Sequence, residues 1–250
     1  MSFWDDCPGQ VYQKVMTIST ADTDGGECLH SAGLLRISGD STVEHMEQQG
    51  LIENCLKPRH LLWMIGWSVA EIKRLPRLDE QIIVRNWPGA KKNGMYPRHC
   101  GLYSMEGEEL AAVCTLWLLV DEETRRMSED EDALAAAEPV SLPGELKKPK
   151  LAVSFPEEYP FMQEHTVVAE EIDRNGHCNN ARYLEWIPPL LSEEYRASHI
   201  CRNIWIQYVR ELLEGQTVRL NYTMEQDTLF VRGICEGEEC FSLRAAFQII

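Results

Sequence analysis

The sequence predicts an α+β fold of two related halves, and three observations carry that prediction. Ten stretches of the 250-residue chain read as β-strands, two read as long helices, and the order strand, helix, four strands runs once before residue 127 and again after residue 160.

In chain order, residues 11–20 (VYQKVMTIST) alternate apolar and polar for most of their length, the period of a half-buried strand. From Leu34 to Gln49, the residues Leu34, Leu35, Ile37, Val43 and Met46 share one helical face, and Gly50 is placed to end the helix in a left-handed cap. Ser38-Gly39-Asp40-Ser41 is where that helix would break. Residues 61–73, 80–87, 98–105 and 109–121 then read as strands, with Glu106-Gly107-Glu108 as the turn between the last two.

Residues 127–160 lack strong periodicity, hold Pro139, Pro143, Pro149 and Pro156, and carry an acidic run from Glu129 to Asp132 followed by Lys147-Lys148-Pro149-Lys150. That is linker composition. The expected division is a first domain over 1–126, a linker over 127–160 and a second domain over 161–250. The second domain repeats the order, with a strand at 164–172, a helix beginning near Asn179 or Asn180, and strands near 203–211, 216–223, 228–235 and 239–249. The duplication is one of architecture, not of obvious sequence. One helix cannot cover both faces of a five-stranded sheet, so pairing the two sheets edge to edge gives both helices a common surface.

Composition narrows the function. With 24 Lys+Arg against 40 Asp+Glu the formal charge is −16, which opposes binding to phosphate backbones and anionic lipid and disfavours nucleic acid as a partner. No stretch approaches the roughly 18 consecutive apolar residues of a membrane span, and MSFWDDCPGQ carries acids where a secretory signal carries a basic region. Nine cysteines, scattered without a C-x-x-C pair and in part inside apolar runs such as AVCTLWLLV, read as free thiols of a reducing compartment. The chain is expected to act in the cytoplasm.

The densest polar cluster is Asp173-Arg174-Asn175-Gly176-His177-Cys178-Asn179-Asn180, at a strand-to-helix junction. Its plainest reading is a tight turn with Asn179 or Asn180 capping the helix. Yet the same turn gathers an imidazole, a carboxylate four residues before it, and the open N–H groups of a helix start. Hydrolysis of an ester or thioester needs a group that deprotonates or orients water, and fixed donors for the oxygen that becomes negative. His177, Asn175 and a nearby carboxylate suit the first task, and the helix start suits the second.

The motif D-x-N-x-H-x-N-N-x-x-Y-x-x-W, met in full by Asp173, Asn175, His177, Asn179, Asn180, Tyr183 and Trp186, resembles that of the acyl-acyl carrier protein thioesterases of plant plastids and their bacterial relatives. Tyr208-Val209-Arg210-Glu211 resembles the family's Tyr-Arg-Arg-Glu segment; the Cys that follows in plant members is Leu212 here, which speaks against a thiol mechanism and favours direct attack by water. LLRISGDSTVEHMEQQGL resembles the family's first helix and favours continuity across Gly39, while Trp63, the Trp67 region, Trp87, Arg98 and ELAAVCTLWLLVDEETRRM are similar to its strand pattern.

This resemblance, spanning about residues 10–248, implies a tandem (double) hot-dog fold, two long helices against a continuous antiparallel sheet. It implies release of free fatty acid from an acyl carrier protein, with acyl-coenzyme A as the other carrier, and no metal or organic cofactor. The implied catalytic set is Asp173, Asn175, His177 and Glu211. Glu211 or His177 would activate water, Asn175 would orient water or substrate, Asp173 would hold the loop, and N–H groups from Gly176 to Asn180 would bind the oxyanion. Trp63, Trp67, Asn179 and Asn180 are the candidate substrate contacts, with the chain-length pocket in the first half. An edge-to-edge homodimer is a further expectation.

Rival chemistries fit less well. Hot-dog enoyl-thioester hydratases use a D-x-N-P-x-H type motif, whereas position 176 is Gly and the imidazole follows Asn175 by two residues. A noncatalytic acyl-binding regulator has no need of Glu211. Asp173, His177 and Cys178 have the residue types of a metal site without the usual paired spacings. Cys178 as a nucleophile would gain from a helix start, but neighbours on a tight turn point apart. An acidic carrier docking on a chain of charge −16 needs a local basic patch. Lys91-Lys92, Arg98, Arg182, Arg210 and the Lys147-Lys148-Pro149-Lys150 run are its candidates.

Overall fold

The computed structural model describes residues 10–91, 93–137 and 153–250. Ten strands join in one antiparallel sheet: β1 (Tyr12–Thr17), β2 (Leu61–Ile72), β3 (Gln81–Pro88), β4 (Met95–Ser104), β5 (Glu109–Asp121), β6 (Phe161–Thr166), β7 (His199–Tyr208), β8 (Thr217–Glu225), β9 (Thr228–Cys235) and β10 (Glu238–Ile249). Their order is β1-β3-β4-β5-β2-β7-β10-β9-β8-β6. The two halves meet where β2 pairs β7, Trp67 opposite Gln207 and Glu71 opposite Asn203, so the sheet runs unbroken from one half into the other.

Helix α1 (Ser31–Gln48) lies on the first half of the sheet and is continuous through Gly39. An interior glycine costs about 1 kcal/mol. Leu34, Leu35, Ile37 and Met46 are all buried, and each contributes on the order of 1.5–3 kcal/mol, so packing outweighs the glycine. Gly50 takes the left-handed conformation (φ 69°) and its N–H bonds the Glu47 carbonyl at 2.9 Å, the expected stop.

The second half departs from the expectation of a matching long helix. Its segment is broken into 3-10 turns at Arg182–Leu184 and Pro188–Leu190 followed by the six-residue α3 (Glu193–Ser198). Pro188-Pro189 removes two successive N–H donors and crowds the preceding turn, which stops helix propagation there. Apolar turns cover the sheet instead: Tyr183 and Trp186 are buried against Phe241, ring centroids 4.9 and 5.9 Å away.

Between the halves, EDALAAA forms α2 (Glu131–Ala137), started by an Asp130 Oδ1 that accepts the Ala133 N–H at 2.8 Å. Ala133 is buried in an apolar cluster with Leu56, Leu61, Tyr96 and Trp117. Phe155 packs at an angle against Trp205 (5.4 Å) and edge-on to Phe230 (5.7 Å) ahead of β6, so this part of the segment is held down by packing. Pro139, Pro143 and the Lys147-Lys148-Pro149-Lys150 run lie outside the described residues.

Candidate active site

The turn after the bridge between Ile172 and Cys178 is closed by its own backbone. The Asp173 N–H bonds the His177 carbonyl at 2.8 Å, the Gly176 N–H bonds the Asp173 carbonyl at 3.0 Å, and Gly176 is left-handed (φ 82°), which glycine adopts without a Cβ penalty. Asp173 adds its side chain: Oδ1 accepts the Asn175 N–H at 2.7 Å and Oδ2 accepts from Asn175 Nδ2 at 3.4 Å. These bonds fix the path of the chain and turn the His177 ring toward the segment after β7.

That segment brings Glu211. Val209 and Arg210 N–H both bond the Cys240 carbonyl (2.8 and 3.1 Å), and the Leu212 carbonyl accepts the Cys178 N–H at 2.8 Å, so Glu211 is pinned from both sides. His177 Nε2 stands 3.4 Å from Glu211 Oε2, with both side chains part-exposed. The other carboxylate oxygen, Oε1, lies 3.5 Å from Arg125 Nη1, on the turn after β5 in the first half. An open cleft of about 210 Å³ is lined by His177, Arg210, Glu211, Leu213 and Gln216. Imidazole and carboxylate thus share one solvent-reachable opening, where a water molecule can meet both.

Beneath the turn, buried Glu171 accepts from His165 Nε2 (2.9 Å), Trp186 Nε1 (2.7 Å) and the Val168 N–H (3.0 Å). Burial works to raise this carboxyl, but the donors outweigh it and hold Glu171 below the ordinary carboxylate value. Its backbone carbonyl accepts the Asn179 N–H at 2.8 Å, so the acid anchors the far end of the turn.

The chain matches Acyl-ACP thioesterase N-terminal domain over residues 9–137 and Acyl-ACP thioesterase C-terminal domain over residues 156–240. It belongs to the acyl-ACP thioesterase family. It is 24% identical over 220 residues to the chloroplastic palmitoyl-acyl carrier protein thioesterase of Gossypium hirsutum, an overlap covering 81% of this chain and 52% of that protein. The chain therefore spans about half the length of that curated relative. Among solved structures, the 12:0-ACP thioesterase from Umbellularia californica superposes with a TM-score of 0.84 at 19% identity, covering 98% of this chain and 99% of that one. An acyl-ACP thioesterase from Bacteroides thetaiotaomicron gives 0.82 at 18%, covering 99% and 100%. The tandem hot-dog architecture is shared with these structures.

In this acyl-ACP thioesterase family member the four residues singled out by the motif fall into two pairs. His177 and Glu211 face each other, and Asp173 and Asn175 bond to one another. Among the described residues neither Asp173 nor Asn175 has a side-chain bond to the His177 ring or to Glu211. Asn179 Oδ1 caps the following turn by accepting the Ala181 N–H at 2.9 Å, and the Asn180 carbonyl accepts from Tyr208 Oη at 3.0 Å. Trp63 lies with Tyr96 (5.0 Å) against the cluster that holds Leu56, Leu61, Trp117 and Ala133 of α2. Trp67 does not: Ile65 pairs with Trp117 while Trp67 pairs with the adjacent Leu116, so the register slip turns Trp67 to the opposite face from Ile65 and Trp63.

Two other expectations are corrected, and the rival reading of Cys178 as a nucleophile is further disfavoured. The N–H groups of Gly176, Cys178 and Asn179 are each bonded to a backbone carbonyl, so that part of the proposed oxyanion site is already occupied by the turn itself. The Cys178 thiol is 4% exposed and burial pushes it up to about 12, which leaves no thiolate at neutral pH. Among the described residues the candidates for a basic docking patch are dispersed. Arg98 is buried beside His45 Nδ1 (3.0 Å), Arg182 is bridged to Glu185 (2.8 Å), and Arg210 to Glu236 (2.9 Å) and Glu238 (3.1 Å). Lys91 sits over the Tyr96 ring, and Lys92 lies outside the described residues.

Arg125, Leu213 and Gln216 escaped the sequence reading. Leu213 and Gln216 follow Glu211 closely, so the segment was visible though its cleft was not. Arg125 reaches Glu211 only through the three-dimensional meeting of β5 with β2 and β2 with β7, and nothing in its local sequence marks that.

Proposed function

We propose that this chain hydrolyses acyl thioesters borne on an acyl carrier protein and releases the free fatty acid. The observation that carries the reading is the approach of His177 Nε2 to within 3.4 Å of Glu211 Oε2 at the mouth of the cleft. A water held between them gives up a proton to this pair as its oxygen bonds to the thioester carbonyl carbon. Collapse of the tetrahedral adduct breaks the C–S bond, and the proton passes to the departing sulfur, so thioester and water become carboxylic acid and thiol. Leu212 beside Glu211 and the buried Cys178 leave water as the nucleophile.

Asp173 holds the turn in shape, and exposed Asn175 orients the incoming water or carbonyl. Half-buried Val43, Leu51, Ile52, Trp63 and Ile65, packed on the cluster of Leu56, Leu61, Tyr96, Trp117 and Ala133, offer an apolar wall for the acyl chain in the first half. No helix among the described residues is long and apolar enough to cross a membrane. Cytoplasmic action is supported by the eight cysteines among the described residues, all free thiols and six of them buried. The outer edges of β1 and β6, each paired on one side only in the described sheet, support an edge-to-edge homodimer.

The test is thiol release from a panel of acyl-carrier-protein and acyl-coenzyme A thioesters of varied length, with wild type, His177→Ala and Glu211→Gln. Release of free acid by wild type from the carrier protein, and its loss in both variants, is the expected result. Full activity in both variants overturns the site.

A further inference from the structure

We infer that Arg125, from the first half of the chain, is a positioning residue for Glu211, so that the reactive pair is completed across the two halves; this rests on the thioesterase reading above. Glu211 has two oxygens and the structure uses them differently: Oε2 faces His177 Nε2 at 3.4 Å, and Oε1 faces Arg125 Nη1 at 3.5 Å. A carboxylate on a short side chain after the end of a strand can swing about its own χ angles. A guanidinium on one oxygen restricts that swing and leaves the other oxygen for the imidazole.

The turn that presents Arg125 is built to be rigid. Asp121 Oδ1 accepts both the Thr124 N–H (2.7 Å) and Thr124 Oγ1 (2.8 Å), the Arg125 N–H bonds the Asp121 carbonyl (3.0 Å), the Asp121 N–H bonds the Arg126 carbonyl (2.9 Å), and Val120 bridges Met127. Within it Arg125 is left-handed, at φ 57°. Glycine is the residue that such a position favours, and a long branched charge is not what the turn itself asks for. From this turn the side chain reaches across the halves to Glu211. A half-exposed ion pair at this distance adds little to stability, which leaves orientation as its effect.

That backbone preference supplies a clean test, because Arg125→Gly removes the side chain while relaxing the turn. In the full chain, Arg125→Gly should keep or slightly raise the thermal midpoint, yet lower kcat roughly 10- to 100-fold with KM little changed, as a misplaced reactive group does. Arg125→Lys should recover much of the loss. Crystal structures of wild type and Arg125→Gly supply a readout independent of turnover: in the variant the Glu211 carboxylate should leave His177. Unchanged kcat, or a Glu211 that keeps its place beside His177 without Arg125, overturns the inference. So does a defect confined to KM for acyl-carrier-protein and acyl-coenzyme A substrates, with normal hydrolysis of an N-acetylcysteamine thioester, which would make Arg125 a phosphate contact. If wild type hydrolyses no thioester, the proposed function fails, while a Glu211 displaced in Arg125→Gly still establishes the positioning role.

Discussion

In the second half the Asp173 N–H bonds the His177 carbonyl, the Gly176 N–H the Asp173 carbonyl, and the Asn175 N–H the Asp173 Oδ1, at 2.8, 3.0 and 2.7 Å. In the first half the Asp24 N–H bonds the Cys28 carbonyl, the Glu27 N–H the Asp24 carbonyl, and the Gly26 N–H the Asp24 Oδ1, at 2.8, 3.0 and 2.9 Å. The matching continues outward. Cys178 N–H reaches the Leu212 carbonyl and Leu29 N–H the Pro76 carbonyl, both at 2.8 Å, and Asn179 and His30 N–H reach the carbonyls of Glu171 and Asp22. Position by position, Cys28 then stands where the second half has His177, Gly26 where it has Asn175, and Leu75 where it has Glu211. The turn with its aspartate is therefore common to both halves, and the three side chains proposed for the chemistry, Asn175, His177 and Glu211, are carried only by the second half.

The largest expected contrast follows from those three. His177→Ala and Glu211→Gln should each lower kcat by about 10²- to 10⁴-fold, the range of a positioned acid–base group. Cys28→Ala and Leu75→Gln, at the matching places, should leave it within about twofold. Comparable losses from both halves would mean that the first turn also takes part. Asp173→Ala and Asp24→Ala come next. Each removes a side-chain acceptor from its turn and should cost about 1 kcal/mol of stability by urea titration. Only Asp173→Ala should cost activity, by roughly 10-fold or more, because only there does the turn aim an imidazole.

Two buried acids extend the comparison. Glu171 is held by His165, Trp186 and the Val168 N–H; Asp22 is held by Ser19 (2.7 Å) and by Arg36 from α1. In both, burial tends to raise the carboxyl and hydrogen bonds more than reverse it, so both lie below their ordinary values of 4.5 and 3.8. An acid depressed by folding stabilises the native state above its ordinary value, and that stability is lost as pH falls through the lower, folded-state value. Unfolding free energy should therefore fall as pH drops below about 4.5. Glu171→Gln and Asp22→Asn should each lower stability at pH 7 by about 1–3 kcal/mol and flatten part of the acid limb. A steep acid limb that survives both changes would place the sensitive carboxylates elsewhere.

Much of this was legible from sequence, and the losses have physical reasons. Strands could be read because each carries its own alternation, and the candidate site residues because Asp173, Asn175 and His177 sit within one turn and Glu211 within a second motif. The helices show where local pattern misleads. Gly39 is the weak point of the first helix by local pattern, and the helix runs through it as the resemblance implies, since a missing side chain costs little beside a buried apolar face. Pro188-Pro189 stops the second helix, since each proline removes an N–H and crowds the turn before it. The face on which Trp67 lies is set by a register slip, and the approach of Arg125 to Glu211 by long-range topology; neither leaves a mark in neighbouring residues. Arg98 was read as surface because arginines usually are, and its place on the inner face of β4 follows only from the pairing of that strand.

The smallest predicted effect asks whether the two turns are equivalent in backbone as well as in bonding. Gly176 and Glu27 occupy the same place and are both left-handed, at φ 82° and 58°. A Cβ added at Gly176 would meet nothing within 4 Å, so Gly176→Ala should cost only the backbone penalty of an L-residue there, about 0.5–1 kcal/mol. Glu27→Gly, the reverse change at the twin position, should gain a similar or smaller amount. Shifts of about 1–4 °C in the thermal midpoint, opposite in sign, are the expected readout. If Gly176→Ala instead abolishes turnover while the fold stays intact, the second turn must leave its resting conformation during the reaction. The glycine would then be there for motion, and the equivalence with Glu27 would hold for the resting state alone.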